Sequence, residues 1–142
     1  MNEDRIRQII LDKVSANDFH RFIGLEFMEL TPTHSKARIR NSAALANPYG
    51  SMHGGVLMSV ADTVAGATAC MNGRYASTVS ASLNFLAPAE NTEYVYCECT
   101  TIKAGKHLIV LDVKITDDKD EIIDSGEFTY FAGKEPVDPD QR

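Results

Sequence analysis

The chain has 142 residues, of which 44% are hydrophobic and 24% are charged, and this fits one globular domain with a buried core. Its formal net charge of -6 argues against a general nucleic-acid-binding function, because neutralising phosphates requires a basic face. The N-terminus lacks the basic and apolar regions of a secretory signal, and no CxxC pair occurs among Cys70, Cys97 and Cys99. We therefore expect a cytoplasmic protein with reduced cysteines and with neither a disulfide framework nor a metal site.

The hydrophobic pattern predicts helices, then strands, around one long apolar helix. An amphipathic helix is expected over residues 2–14 and a short helical turn over residues 18–22. The apolar helix should begin at His53-Gly54-Gly55 and end near Asn72-Gly73. Alternating patterns between turns predict six strands, over residues 25–30, 36–40, 77–86, 93–101, 107–116 and 121–132.

The order of these elements predicts an antiparallel sheet curved around the apolar helix, because consecutive strands are joined by short turns. The helix is interrupted by Asp62 and rich in small residues, so it is interpreted as a buried helix and not as a membrane span. A sheet covers one side of such a helix, and a second copy of the chain is the natural cover for the rest.

Asp62 is the only charge in this helix, and burying an unpaired carboxylate is expensive. The residue alone allows two interpretations: a hydrogen bond to a backbone amide or hydroxyl that fixes the register, or a functional carboxylate. Taken alone, Gly54 and Gly55 indicate tight packing or a sharp turn. They also let a ligand approach the free N–H groups of the first helical turn, which can stabilise an oxyanion.

The spacing of Gly54 and Asp62 adds a geometric argument. The two residues lie about 12 Å apart along a helix that rises 1.5 Å per residue, too far for one carbonyl group to contact both. Two antiparallel helices about a two-fold axis would place each Asp62 opposite the helix start of the other chain. If the pair is catalytic, we expect an obligate dimer with two shared sites.

Residues 47–55 (Asn-Pro-Tyr-Gly-Ser-Met-His-Gly-Gly), followed by Asp62 and Ala65-Gly66, resemble the signature of hot-dog-fold acyl-CoA thioesterases of the phenylacetic-acid-degradation (PaaI-like) type, in the 4-hydroxybenzoyl-CoA thioesterase superfamily. Residues 79–89 and 102–106 match the following segments of that family. The resemblance covers about residues 24 to 132.

The resemblance implies an α+β hot-dog fold, in which an antiparallel sheet of five to six strands wraps around one long central helix. Residues 1–23 would form an N-terminal helical segment of the same domain and residues 24–133 the hot-dog thioesterase domain. The Pro- and Asp-rich tail, residues 134–142, is expected to be disordered. Family members are usually homodimers with shared active sites, paired into homotetramers as dimers of dimers.

The same resemblance assigns roles to individual positions. Asp62 matches the catalytic carboxylate, which acts as nucleophile or as general base on water. The positions that assist it are the oxyanion donor Gly54 or Gly55, with Gly54 preferred, the carbonyl-orienting Asn47, the loop-supporting His53 and the water-placing Ser80.

Substrate contacts are expected on both sides of the helix start. The acyl group, of medium length or aryl, would meet Gly55, Leu57, Met58, Asn84, Phe85 and the segment 19–27. Basic residues should line the mouth for coenzyme A, and the candidates are Lys103, Lys106 and Arg74. No cofactor is expected, because coenzyme A is part of the substrate, and neither nucleic acid nor a membrane is an expected partner.

Two alternative functions use the same pocket. A non-catalytic acyl-CoA sensor is disfavoured by the complete set of Asn47, His53, Gly54 and Asp62. A more remote alternative is an enoyl-CoA hydratase or dehydratase. Dehydratases of this fold combine a His-Phe-Pro-Gly-His-type loop with a helical glutamate, and this sequence has neither.

Overall fold

The computed structural model describes residues 2–141; residues 1 and 142, at the ends of the predicted N-terminal segment and tail, lie outside this range. The helices are α1 (Glu3–Ala16), α2 (Asp18–Ile23) and α3 (Gly54–Cys70), with short 3-10 helices at Ala43–Leu45 and Pro139–Gln141. The strands are β1 (Glu26–Leu30), β2 (His34–Arg40), β3 (Arg74–Phe85), β4 (Tyr94–Ala104), β5 (Leu108–Thr116) and β6 (Ile122–Pro136).

All strand pairs are antiparallel, and the sheet has the order β1-β2-β4-β5-β6-β3. The predicted α+β architecture, an antiparallel sheet around one long helix, is confirmed. In the part of the chain that the structure describes, no helix is long and apolar enough to cross a membrane.

The main core lies between α3 and the concave face of the sheet. Every second residue of β5 is buried, so one face of the strand packs inwards while the other meets solvent. The residues of α3 that pack against this face are mostly small or branched, which allows the helix to approach the sheet closely: Leu57, Val60, Ala61, Val64, Ala65 and Ala69. Burial of each larger side chain stabilises the fold by about 1.5–3 kcal/mol.

A second, smaller core joins α1 to the far end of α3. Ile6 and Ile10 of α1 are buried there with Leu30, Met71 and Val137. The N-terminal helix begins where the Asn2 side chain accepts a hydrogen bond from the Arg5 N–H. The N-terminal segment is therefore packed against the same helix that carries Asp62.

Residues 134–141 are ordered, contrary to the disorder predicted for the tail. Its first residues continue β6, and Val137 is 1% exposed, with its N–H donating to the Gly73 carbonyl at 2.9 Å. Arg5 Nε lies 2.9 Å from the Asp138 carboxylate. The composition of the tail resembles that of a disordered segment, but one buried valine and the two ion pairs of Arg5 with Asp138 and Asp140 fix it to α1.

β3 lies at the edge of the sheet and contains a bulge. Thr78 pairs with Tyr130 of β6, whereas Ser80 pairs with Thr129, so Val79 is an extra residue. The residues of β3 from 77 to 82 are exposed, and no other described strand pairs with its outer edge. An open edge of 12 residues is a ready site for pairing with a second chain.

Asp124 of β6 is a carboxylate within the main core. It is 0% exposed, and among the described residues neither carboxylate oxygen has a hydrogen-bond partner. Its cross-strand neighbours are Phe85 of β3 and Ile115 of β5, and both are apolar. Burial raises the pKa of Asp124 from 3.8 to about 7, because the charged form loses its hydration.

The raised pKa of Asp124 predicts pH-dependent stability. In acid the Asp124 carboxyl group is protonated in both the folded and the unfolded state. As the pH rises from about 4 towards 7, the group ionises in the unfolded chain but stays protonated in the folded protein, so the free energy of unfolding falls. The free energy of unfolding of the wild type should fall by about 2–4 kcal/mol relative to that of Asp124→Asn between about pH 4 and pH 8. Urea unfolding of both proteins measures this difference, and parallel pH profiles would contradict the prediction.

Candidate active site

The carboxylate of Asp62 is held by two hydroxyl groups. Thr78 Oγ1 donates to Asp62 Oδ1 at 2.7 Å, and the Tyr130 hydroxyl donates to the same oxygen at 2.8 Å. The Tyr130 hydroxyl also lies 2.8 Å from the Asp62 carbonyl oxygen. Burial, followed by the charge of Asp62, raises the pKa of Tyr130, which keeps the phenol protonated as a donor. Within residues 2–141 no group donates to Asp62 Oδ2, which leaves that oxygen available for chemistry.

Within this chain, the hydroxyl of β3 that donates to the Asp62 carboxylate belongs to Thr78, and the water-placing role of Ser80 stays a prediction. Both residues lie on β3, but the bulge between them changes the alternation of the strand, and Ser80 pairs with Thr129. Neither Tyr130 nor Thr78 was predicted as a site residue. Their sequence signal is weak, because a tyrosine or threonine in an alternating strand is typical of any sheet.

A cavity of about 310 Å³ opens beside Asp62. Its walls come from α1, from α3 and from the start of β3, and most of its lining is apolar. His20 of α2 also lines it, with Nε2 3.3 Å from Thr63 Oγ1 and Nδ1 3.3 Å from the Val14 carbonyl. Since a carbonyl only accepts, Nδ1 carries the proton and Nε2 accepts from Thr63 in the neutral ring. His20 lies within the predicted substrate segment, residues 19–27.

The start of α3 leaves one backbone donor without a partner. His53 is the N-cap residue, and its Nδ1 accepts a hydrogen bond from the Gly55 N–H at 2.9 Å. Across the described residues, the Gly54 N–H donates no hydrogen bond. It therefore lies free at the positive end of the helix dipole. The two glycines thus differ, and Gly54 is the one whose N–H is available to a ligand.

Asn47 lies in the loop before α3, close to Gly54. Its amide donates to Ser51 Oγ at 2.9 Å, and its Oδ1 accepts from the N–H groups of Tyr49 and Ser51. These bonds fix the direction of the side chain. Asn47 and Gly54 line one cavity of about 320 Å³, together with Leu57.

The Gly54 cavity and the Asp62 cavity have no lining residue in common. Phe85 belongs to the Gly54 cavity; it is 53% exposed, and its ring covers Gly54. One chain therefore presents a carboxylate in one cavity and a free helix N–H in another.

The predicted substrate residues Met58, Asn84, Lys103 and Lys106 do not line either of the two cavities. Met58 packs against the main core, and Asn84 is exposed opposite Ser125 of β6. Lys103 and Lys106 are exposed at the turn between β4 and β5, where the Arg74 guanidinium donates to the Lys106 carbonyl. The structure thus groups Arg74 with Lys106, and neither residue lines the Asp62 or the Gly54 cavity.

Comparison with known proteins agrees with this architecture. The thioesterase superfamily profile matches residues 49–123. A curated relative, the 1,4-dihydroxy-2-naphthoyl-CoA thioesterase 2 of Arabidopsis thaliana, is 25% identical over 122 residues, which cover 80% of this chain and 78% of that protein.

Two solved structures have the same fold. The E. coli PaaI protein from the phenylacetic acid degradation operon superposes with a TM-score of 0.87 at 17% identity, covering 94% of this chain and 97% of that one. A Streptococcus mutans protein bound to acetyl-CoA superposes with a TM-score of 0.74 at 21% identity, covering 78% and 90% of the two chains. The predicted hot-dog fold is confirmed. Because the family profile spans more than half of the sequence, the chain belongs to the thioesterase superfamily and is a thioester hydrolase.

Proposed function

We propose that the protein hydrolyses acyl-CoA thioesters and that Asp62 is its catalytic carboxylate. The observation that carries this proposal is the state of the Asp62 side chain: two hydroxyls hold Oδ1, Oδ2 is free, and a mostly apolar cavity lies alongside. A carboxylate oriented in this way can attack a thioester carbonyl or remove a proton from water. The adjacent cavity offers space for the acyl group.

The oxyanion of the tetrahedral intermediate is bound, in this proposal, by the Gly54 N–H of a second chain. The support is that Gly54 and Asp62 of one chain open into different cavities, whereas Gly54 has the free helix N–H that an oxyanion needs. Pairing along the open edge of β3 would bring two chains together about a two-fold axis. The functional unit is then a homodimer with two shared sites, which can pair further into a tetramer.

The reaction needs few groups, because a thiolate leaves without prior protonation. Addition of water, or of the Asp62 carboxylate, to the carbonyl carbon forms the tetrahedral oxyanion, and the C–S bond then breaks to release the thiolate of coenzyme A. Where the carboxylate adds first, water cleaves the resulting anhydride. Both routes give one free acid and one thiol per water consumed. A single turnover in heavy-oxygen water separates them, because only the anhydride route transfers the label to Asp62.

Coenzyme A esters are favoured as the substrate class by two similar proteins. The Arabidopsis thaliana relative is named for an aryl-CoA thioester, and the Streptococcus mutans structure holds acetyl-CoA. Arg74, Lys103 and Lys106 remain our candidates for contact with the phosphates, since they place positive charge together on an otherwise acidic protein.

A thiol-trapping assay tests the proposed function directly. The purified protein should release free thiol from some members of a panel of phenylacetyl-, benzoyl-, medium-chain and long-chain acyl-CoA esters. Binding of acyl-CoA without release of thiol would overturn the proposal in favour of an acyl-CoA sensor. Loss of enoyl-CoA absorbance without thiol release would favour a hydratase.

Thr78 and Ser80 form a matched pair of hydroxyl residues on β3. Thr78→Val keeps the shape of the side chain but removes one donor to Asp62 Oδ1, and it should lower kcat by about 10- to 100-fold, since hydrogen bonds to charged groups contribute about 1.5–3 kcal/mol. Ser80 donates no hydrogen bond to Asp62 within this chain, so Ser80→Ala should leave kcat within about twofold of wild type. Steady-state kinetics of both variants measure the contrast, and the reverse pattern would restore Ser80 as the assisting hydroxyl.

A further inference from the structure

The cavity beside Asp62 has a defined far end. It runs along α3 from Asp62 to Cys70, about 12 Å for a helix that rises 1.5 Å per residue. Ile10 of α1 lines the same cavity, and Tyr75 at the start of β3 lies where Cys70 ends the helix. The Ala76 N–H donates to Cys70 Sγ at 3.4 Å, which fixes the start of β3 against the helix end.

A second cavity of about 380 Å³ lies beyond this end. Its lining is contributed by α1 and by the ordered tail and includes Ile9, Val137 and Pro139. The two cavities share two lining residues, Lys13 and Tyr75. Lys13 Nζ lies 5.6 Å from the centroid of the Tyr75 ring, a cation–π contact that holds the pair together. The Tyr75 ring and the Lys13 ammonium group therefore lie between the Asp62 cavity and the second cavity.

We propose that Tyr75 and Lys13 form the floor of the acyl-binding cavity and restrict the enzyme to compact acyl groups, aryl or of medium length. This inference rests on the proposed function, since it takes the Asp62 cavity as the acyl site. A group that fills the cavity contacts the Tyr75 ring, which is favourable for an aromatic or aliphatic end. A longer chain must displace the ring or bring an apolar end against the Lys13 ammonium, which costs desolvation of the charge.

The test is the acyl-length profile of kcat/KM, measured with saturated acyl-CoA esters from butyryl to stearoyl and with phenylacetyl-CoA. Tyr75→Ala joins the two cavities and should raise the long-chain to short-chain ratio of kcat/KM about tenfold or more. Tyr75→Phe keeps the ring and should preserve the wild-type profile. Tyr94→Ala, which removes a tyrosine stacked on Arg38 of β2, is the matched control and should also preserve it.

Two further variants keep the proposal testable if Tyr75→Ala does not fold. Lys13→Ala alters an exposed helix residue and should shift the profile in the same direction, by a smaller factor. Ile9→Trp, which fills the second cavity, should cancel the gain when it is combined with Tyr75→Ala. A wild-type profile in both Tyr75→Ala and Lys13→Ala would overturn the proposed floor. Absence of hydrolysis by the wild type with every ester would instead refute the proposed function.

Discussion

Asp62→Asn should lower kcat for acyl-CoA hydrolysis by about 10²–10⁴-fold, the range expected when a general base is lost. The asparagine keeps the size of the side chain, and its carbonyl oxygen can still accept from Thr78 and Tyr130. The variant loses the negative charge and the ability to take a proton or attack a carbonyl. KM should change little, because the apolar cavity that receives the acyl group is intact.

Asp112→Asn is the control for this substitution. Asp112 lies on β5 and pairs with Glu127 on the face of the sheet that points away from α3, so its loss should leave kcat within about twofold of wild type. Circular dichroism and thermal unfolding of both variants establish that the fold is retained. Full activity of a folded Asp62→Asn protein would remove Asp62 from the mechanism.

Gly54→Pro should be the second variant with a large effect, because it removes one backbone N–H and little else. Gly54 is the first residue of α3, where proline is well tolerated, and His53 has the φ of -60° and ψ of 131° that suit a residue before proline. Loss of one oxyanion donor typically lowers kcat by about 10²–10³-fold. Gly54→Ala keeps the N–H, and its Cβ would lie 3.4 Å from the Phe85 ring, an ordinary contact, so activity should be nearly unchanged.

Mixing the two inactive variants tests whether the site is shared between chains. In a heterodimer of Asp62→Asn and Gly54→Pro chains, one site combines an intact Asp62 with an intact Gly54, and the other site lacks both. Co-expression with random assembly should therefore restore about a quarter of wild-type activity, although each variant alone is nearly inactive. If Asp62 and Gly54 of the same chain acted together, co-expression would restore nothing.

The helices and strands could be predicted from the sequence because the periodicity of their hydrophobic residues is regular. The alternation of β5 and the long apolar run of α3 are local properties, and the structure places both within one or two residues of the prediction. The prominence of Asp62, a single charge in that run, is local too. A dipeptide such as Gly54-Gly55 can indicate a helix start, but only the bond between His53 Nδ1 and the Gly55 N–H shows which glycine is free.

The features that the sequence does not predict depend on contacts between distant residues. The bulge at Val79 adds one residue without changing the composition, so the sequence does not reveal that Thr78 contacts Asp62. Tyr130 reaches Asp62 only because β6 lies beside β3, a pairing that no local pattern reveals. The tail was misjudged for the same reason, since the order of Val137 comes from its contact with the distant helix α1.

The pairing of β3 with β6 also has a consequence for folding. β6 is the last of the six described strands, so β3 has no partner in the sheet until residues 122–136 have been synthesised. Thr78 lies on β3 and Tyr130 on β6, so the two hydroxyl groups that hold Asp62 come together only when these strands pair. Non-local pairing of this kind slows folding more than it weakens the final state. In a refolding experiment, activity should consequently return with the slowest phase, after the local hairpin of β4 and β5 has formed.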